Sequence, residues 1–489
     1  MLMMALIAAV MVGASETNTP DQGQVQYTQI SAKEIQAQAK AGPIIYDQVA
    51  VIGDLELNST QYNYIRIANS RITGNITCSG TTFGGKVDFS DTVFERDAVF
   101  NGTKFLAEAN FNCSHFKEDT SFNMSTFTNG GTFDFASFDR LADFANARFD
   151  RFGTFYNTSF LGDAQFSLSQ FNGAYANFEE TRYLGDADFS GCQFNTYSSF
   201  AGAKMERAAN FHGSKFVNGV SFEYAEILGS FNFARSHLTE DSLLSEMYFG
   251  NSTDFTNTKF DGPLFFVNTR FCGDSLFGNS QFLAPTDFSG AQFDRDLAMN
   301  NTKINTMMLG DSVFSEGSRL FLAKADLNRF MVSWSQIRNI LSYDNSAYLS
   351  LVKNFRDIGQ SSDANDCYYE YRYLNQNRKG LGVSKFLDMV AWITCGYGVR
   401  PHHALACGAA VILIIASIIW SGKGLEGFSD LSERQKITAS LYYSLIAFTA
   451  NGKGLPFKGN YRYLGIAEGI LGWLLMALFL VTLGRLMIG

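Results

Sequence analysis

The sequence predicts two unlike parts: a β-solenoid of short stacked strands, and after it an α-helical membrane domain with two spans and a pore loop. Three observations carry this. Phe recurs every eleven residues from 89 onward, two long apolar stretches lie near the C-terminus, and between them sits a short apolar helix followed by a Gly-containing loop.

Phe stands at 89, 100, 111, 122, 133, 144, 155 and 166, and after one extra residue at 178, 189, 200, 211, 222 and 233. A second series trails by five residues, from Phe94 to Phe171 and then through Tyr183, Phe194, Met205, Phe216, Ile227 and Leu238. Steps of five and six walk around a 3.6-residue wheel, so no helix keeps these rings on one face, and flat strand alternation would need even steps. Short bent strands, stacked coil upon coil, remain. After a looser stretch at Leu243 to Phe249 the beat returns from Phe255 to Phe293. Two residues before most of the aromatics stands a small residue, as at Ala98, Thr103, Ala109, Ser114, Ala142 and Cys192. Large and small inward positions then alternate, as a narrow tube requires if it is to fill without voids. Phe100, Phe111, Phe122, Phe133, Phe144, Phe155, Phe166, Phe189 and Phe200 are the expected core.

Units such as DADFSGCQF (186–194) and TDFSGAQF (286–293) resemble the pentapeptide-repeat family in its Phe-rich, eleven-residue variant. The resemblance covers about 70 to 310 and implies a right-handed quadrilateral β-solenoid with Phe stacked along its axis. If two units make one coil, it implies a rod of ~50 Å at strand spacing. We assign the solenoid to 58–316. An N-terminal cap is expected over 15–57, and a helical cap with an interfacial helix over 317–399. Residues 1–14, MLMMALIAAVMVGA, read as a signal peptide ending at Ala14, or as a fraying apolar terminus, since no Lys or Arg precedes the run.

Residues 400–489 read as the membrane domain. ALACGAAVILIIASIIW (404–420) suits one span, and YLGIAEGILGWLLMALFLVTLGRLMI (463–488) a second, interrupted by Glu468 and Arg485. Between them KITASLYYSLIAF (436–448) is too short to cross, and Thr449, Ala450, Asn451, Gly452, Lys453 and Gly454 follow. This plan resembles the two-span potassium-channel family. Glu468, Leu471, Gly472, Ala477, Leu478 and Phe479 match its second-span pattern; Phe448, Thr449, Gly452 and Gly454 match its filter frame. Two Gly permit the backbone angles by which carbonyls face one axis and replace an ion's hydration shell. The sequence departs at Ala450, Asn451, Lys453 and Leu455, and a ring of Lys453 would oppose cations. Potassium selectivity is therefore not carried over. Glu468, ionisable inside a span, either serves the pore loop and its lysines or reaches the interface. Thr394-Cys395-Gly396-Tyr397-Gly398 is more filter-like, but no span precedes it; an interfacial helix (383–393) ended by a Gly turn is the simpler reading. His402 and His403 read as a pH sensor or as ordinary interfacial residues.

Composition bounds the function. A net charge of −9 leaves no basic surface for nucleic acid, seven Cys lack any C-x-x-C pair, and neither a nucleophile–base pair nor a phosphate loop nor a metal spacing is present. The expectation is no enzyme, no cofactor and no metal. The partners are the lipid bilayer, monovalent ions if the pore conducts, and three further copies in a homotetramer. The signal-like start and eight N-x-S/T sequons favour an extracytoplasmic solenoid on a multi-pass cell-membrane protein; Arg378, Lys379, Lys385 and Arg400 before the first span favour the cytoplasmic side, but a signal-like start acts before loop charges, so the outside is expected. The expected function is a channel with a degenerate filter, the alternative a non-conducting, membrane-anchored adhesion or structural protein.

Overall fold

The computed structural model describes residues 26–58, 64–450 and 454–488, so the expected signal peptide at 1–14 lies outside them. The chain divides into two compact units, Met1–Arg207 and Ala208–Gly489. Both contain turns of a parallel β-solenoid, about 14 in all, and a helical region follows in the second unit.

In the first unit a turn consists of four two-residue strands. Val93–Phe94, Ala98–Val99, Lys104–Phe105 and Ala109–Asn110 pair in parallel with His115–Phe116, Thr120–Ser121, Thr126–Phe127 and Gly131–Thr132 of the next turn. Two eleven-residue units thus close one coil, and like residues stack. Phe100 lies on Phe122 at 4.7 Å, Phe111 on Phe133 at 5.0 Å and Phe144 on Phe166 at 4.9 Å, with nearly parallel planes. Neighbouring columns meet edge to face, as in Phe144 against Phe155 at 5.2 Å. Both arrangements suit the ring quadrupole. Phe100, Phe111, Phe122, Phe133, Phe144, Phe155, Phe166, Phe189 and Phe200 are all fully buried. The extra residue after Phe171 leaves the columns intact, because Phe171 still stacks on Phe149 and Phe178 on Phe155, each at 4.9 Å. It is taken up in the corner before Tyr175–Asn177, which pairs with Phe152–Thr154.

The small positions do more than make room. Two residues before the second-series aromatic, a hydroxyl donates to a main-chain carbonyl of the preceding coil: Thr103 to Cys78 at 2.7 Å, Ser114 to Phe89 at 2.8 Å, Ser125 to Phe100 at 2.6 Å and Ser169 to Phe144 at 2.6 Å. A polar ladder therefore runs inside the apolar tube, each member satisfied.

The ladder extends past both ends of the Phe beat. Thr28–Ser31 pairs with Val49–Ile52, and Ile44–Asp47 with Ile65–Ala68, so coils begin well before residue 58. Their inward residues are Ile44, Val51, Leu55, Leu57, Ile65 and Ile67, branched aliphatics that fill the same places without an aromatic signature. A helix, α1 (Ala32–Ala39), interrupts this first coil and buries Ile35. In the second unit, Leu244 holds the eleven-residue position and is buried while Leu243 is not, so the stretch that looked loose is an ordinary coil. Met299, Ile304, Met307, Leu309 and Leu320 continue inward, and Lys303–Met308 pairs with Asp326–Met331. The solenoid thus ends near 331, not 316, again because aliphatics replace Phe.

Helices α2 (Trp334–Ile337), α3 (Asn345–Asp357) and α4 (Ser361–Arg378) follow. On α3 the buried Asn354 caps the last strand: its Oδ1 accepts from the Phe330 N–H and its Nδ2 donates to the Phe330 carbonyl, both at 2.8 Å. One carboxamide does what a further strand would do, leaving no open edge there. Next come α5 (Val383–Cys395), α6 (Pro401–Ser421), α7 (Glu433–Ala450) and α8 (Tyr461–Ile488).

Three substitutions should separate these contributions in denaturant unfolding followed by circular dichroism. Phe144→Ala should cost roughly 3–5 kcal/mol through lost transfer energy and a cavity. Ser125→Ala should cost about 1 kcal/mol, since the Phe100 carbonyl keeps the Thr103 N–H. Asn354→Ala orphans two buried main-chain groups and should cost about 2–4 kcal/mol.

Candidate functional site

Helices α6 and α8 are long and apolar enough to cross a bilayer, over Pro401–Ser421 and Tyr461–Arg485. Helix α7 packs against both, with Ile415, Ile419, Ala447 and Phe457 in the shared core. Its seat is fixed at two points one helical turn apart. The Phe448 ring lies against Gly408 of α6, and its carbonyl against Gly472 of α8, where a Cβ would fall 2.0 Å from that oxygen. One turn earlier, the buried Ser444 contacts the carboxyl of Glu468 and lies 3.0 Å from the Ile412 carbonyl of α6. The single hydroxyl of Ser444 thus links all three helices, α6, α7 and α8. Glu468 is 0% exposed and its Oε2 has no partner among the described residues.

The connections at the other end of α7 explain how it is entered and left. Leu425, just after α6, forms an antiparallel bridge with Phe457, just before α8. Glu426 N–H donates to the Pro456 carbonyl at 2.9 Å, and Lys458 N–H to the Gly424 carbonyl at 2.8 Å. Gly422 and Gly424 press on the Tyr461 ring, where a side chain would collide. The chain therefore leaves α6, runs inward along α7, and is back beside the end of α6 by Phe457.

Of the filter candidates, Thr449 and Ala450 are the last residues of α7, which runs two residues beyond the expected end at 448. The Thr449 hydroxyl bonds back to the Leu445 carbonyl at 2.9 Å, which suits a helix and not an extended strand. Asn451, Gly452 and Lys453 lie outside the described residues. Gly454 is exposed, with φ +82°. The filter-like Thr394–Gly398 segment is a helix stop: Gly396 and Tyr397 take φ 51° and 58°, and the buried Tyr397 hydroxyl donates to Gln376 of α4. His403 Nδ1 lies 2.9 Å from the Trp392 carbonyl and ties the start of α6 to the end of α5; its ring is 4.9 Å from that of His402.

Three polar features of the site escaped sequence reasoning. Ser444 sat among the apolar residues of a short helix. Asp388 of α5 is held by Arg372 at 2.9 Å and Lys379 at 2.5 Å, both from the neighbourhood of α4. Arg400, just before α6, pairs with Asp366. Burial pushes the Asp388 carboxyl up, but the hydrogen bonds from Lys379 and Arg372 outweigh it, and its pKa ends below the ordinary value.

A family model described as pentapeptide repeats (9 copies) matches residues 79–126, 155–204 and 244–292, all within the solenoid strands. No curated protein and no solved structure matched the chain. The class defined by fold and comparison is a pentapeptide-repeat β-solenoid followed by a helical region with two apolar, span-length helices.

Gly472→Ala should displace α7 and sharply lower the melting temperature of the detergent-solubilised protein, because the colliding atom is main chain. Gly484→Ala, whose Cβ would meet open space, should leave it unchanged or raise it. Glu468→Gln should keep the packing, since an amide can donate to Ser444, while Glu468→Leu should lose it.

A depressed carboxyl pKa contributes stability above the ordinary value and loses it as pH falls through the lowered one. Protection of the α5 amides, measured relative to the intrinsic exchange rate at each pH, should therefore be high at neutral pH and fall only below about pH 4. Asp388→Asn should show the lowered protection already at pH 7.

Proposed function

We propose that residues 400–489 form a re-entrant pore unit and that four copies assemble into an ion channel, with the pentapeptide-repeat solenoid as a large extracytoplasmic domain. The observation that carries this is the Leu425–Phe457 bridge, which returns the chain to the side from which α7 departed while α7 stays wedged between two span-length helices. One chain supplies one pore loop, and a filter needs a closed ring of carbonyls. Helix α5 supports membrane contact from outside the spans. Val383, Phe386, Leu387, Val390 and Ile393 are exposed along one side, while Asp388 holds the other side to α4. Such a face suits the headgroup–acyl boundary.

The second reading, a non-conducting anchor for a surface structural or adhesion element, is favoured by Ala450, Asn451 and Lys453 in the filter frame. Recording from purified protein in planar bilayers, with mass photometry in mild detergent, separates the two. Tetramers with unitary currents are expected, and Lys453→Tyr should raise cation conductance by removing a charged ring from the ion path. Monomers without current would leave the anchor. The exposed Cys113 reports the side of the solenoid: an impermeant maleimide should label it on intact cells.

A further inference from the structure

A cavity of about 390 Å³ opens between the solenoid cap and the start of α6. One face of α4 forms its wall, through Tyr369, Glu370 and Tyr373 at three- and four-residue steps. Trp334 and Arg338 close it from the cap, and Arg400 from the side of α6. Its charges differ in commitment. Arg400 is taken by Asp366 and lies 5.1 Å over the Tyr369 ring. The side chains of Glu370 and Arg338 form no hydrogen bond or ion pair among the described residues, although they are near enough for the charge of Arg338 to act on the carboxyl. Burial raises the Glu370 pKa, and Arg338 offsets only part of that. A half-buried carboxylate and a guanidinium thus share one aromatic-walled recess without satisfying each other.

A carboxylate beside aromatic faces suits an ammonium, and a guanidinium suits a phosphate. We propose that this recess binds phosphoethanolamine chemistry, the ammonium held by Glu370 beside Tyr373, the phosphate by Arg338. A primary ammonium is preferred over a quaternary one because only the former can donate hydrogen bonds to Glu370. The level of the site points to a phosphate zwitterion. Arg400 directly precedes Pro401 of α6, and Arg485, in the last turn of α8, lies 5.7 Å over Tyr368 of α4. If α6 and α8 span the bilayer, as proposed above, α4 sits at headgroup depth, where such zwitterions are concentrated.

The test uses the full chain. Glycerophosphoethanolamine is titrated by calorimetry into detergent-solubilised protein, and thermal unfolding is compared in nanodiscs of phosphatidylethanolamine and of phosphatidylcholine. Binding of the soluble molecule identifies a free ligand; stabilisation by the ethanolamine lipid alone identifies the headgroup. In either case Glu370→Gln and Arg338→Gln should each weaken the effect roughly tenfold or more, as for a charge-assisted hydrogen bond. Arg338 is exposed, so its variant remains folded even if Glu370→Gln does not. No heat of binding together with equal stability in both nanodiscs, or wild-type behaviour of Arg338→Gln, overturns the proposal. Resistance to alkaline carbonate extraction from proteoliposomes tests the two-span reading separately, and its failure leaves the calorimetric result standing.

Discussion

The coil length is the constraint on which the solenoid depends. Stacking of like rings, as in Phe111 on Phe133, and pairing of main chains, as in the Phe111 N–H donating to the Thr132 carbonyl at 2.8 Å, are satisfied together only when each coil repeats the last. An inserted residue is tolerated where it bulges into a corner, as after Phe171. Each coil then rests on its neighbours alone, so stability accumulates coil by coil and the ends become the vulnerable places. That is why a single buried carboxamide, Asn354, is set on both main-chain groups of Phe330.

The same geometry writes the rest of the repeat. Two residues after each first-series Phe the chain turns through positive φ, at Gly102 (64°), Cys113 (59°) and Met124 (56°), and the next residue places its hydroxyl on the internal ladder. An outward Asn before that corner completes N-x-S/T, as in Asn101-Gly102-Thr103, Asn112-Cys113-Ser114 and Asn123-Met124-Ser125. These three sequons are products of the coil, with hydroxyls already engaged inside, and they weigh little on the side of the membrane. Of the basic residues before the first span, Lys379 and Arg400 also have a structural use, paired with Asp388 and Asp366.

What was legible in the sequence follows from this. Phe in steps of five and six is an unusual signal that only a narrow coil explains, so the middle of the solenoid could be read residue by residue. Ile44, Val51, Leu309 and Leu320 occupy equivalent inward places, but aliphatics are common everywhere and their period is lost in the background, so both ends were drawn too short. The hydroxyl ladder was visible only as smallness, because Ala147 and Ser169 serve the same step and the carbonyl partner lies one coil away. In the helical region, Gly472 and Glu468 were legible as a pattern; their partners Phe448 and Ser444 depend on how α7 is seated, which no local rule specifies.

Helix α4 is where the second unit's two kinds of architecture meet. Asp363 accepts from the Trp334 N–H at 3.0 Å and so pins α4 to the end of the solenoid, next to the strand that Asn354 closes. From the same helix, Asp366 holds Arg400 before α6, Arg372 holds Asp388 of α5, and Tyr368 lies under Arg485 near the end of α8. Most of these polar contacts involve partly exposed groups and are individually weak, while the buried Ala364 and Cys367 hold α4 to the cap itself. A displacement of α4 would therefore reach the neighbourhood of both apolar helices at once, which makes this helix a link between the last coil and the helical region.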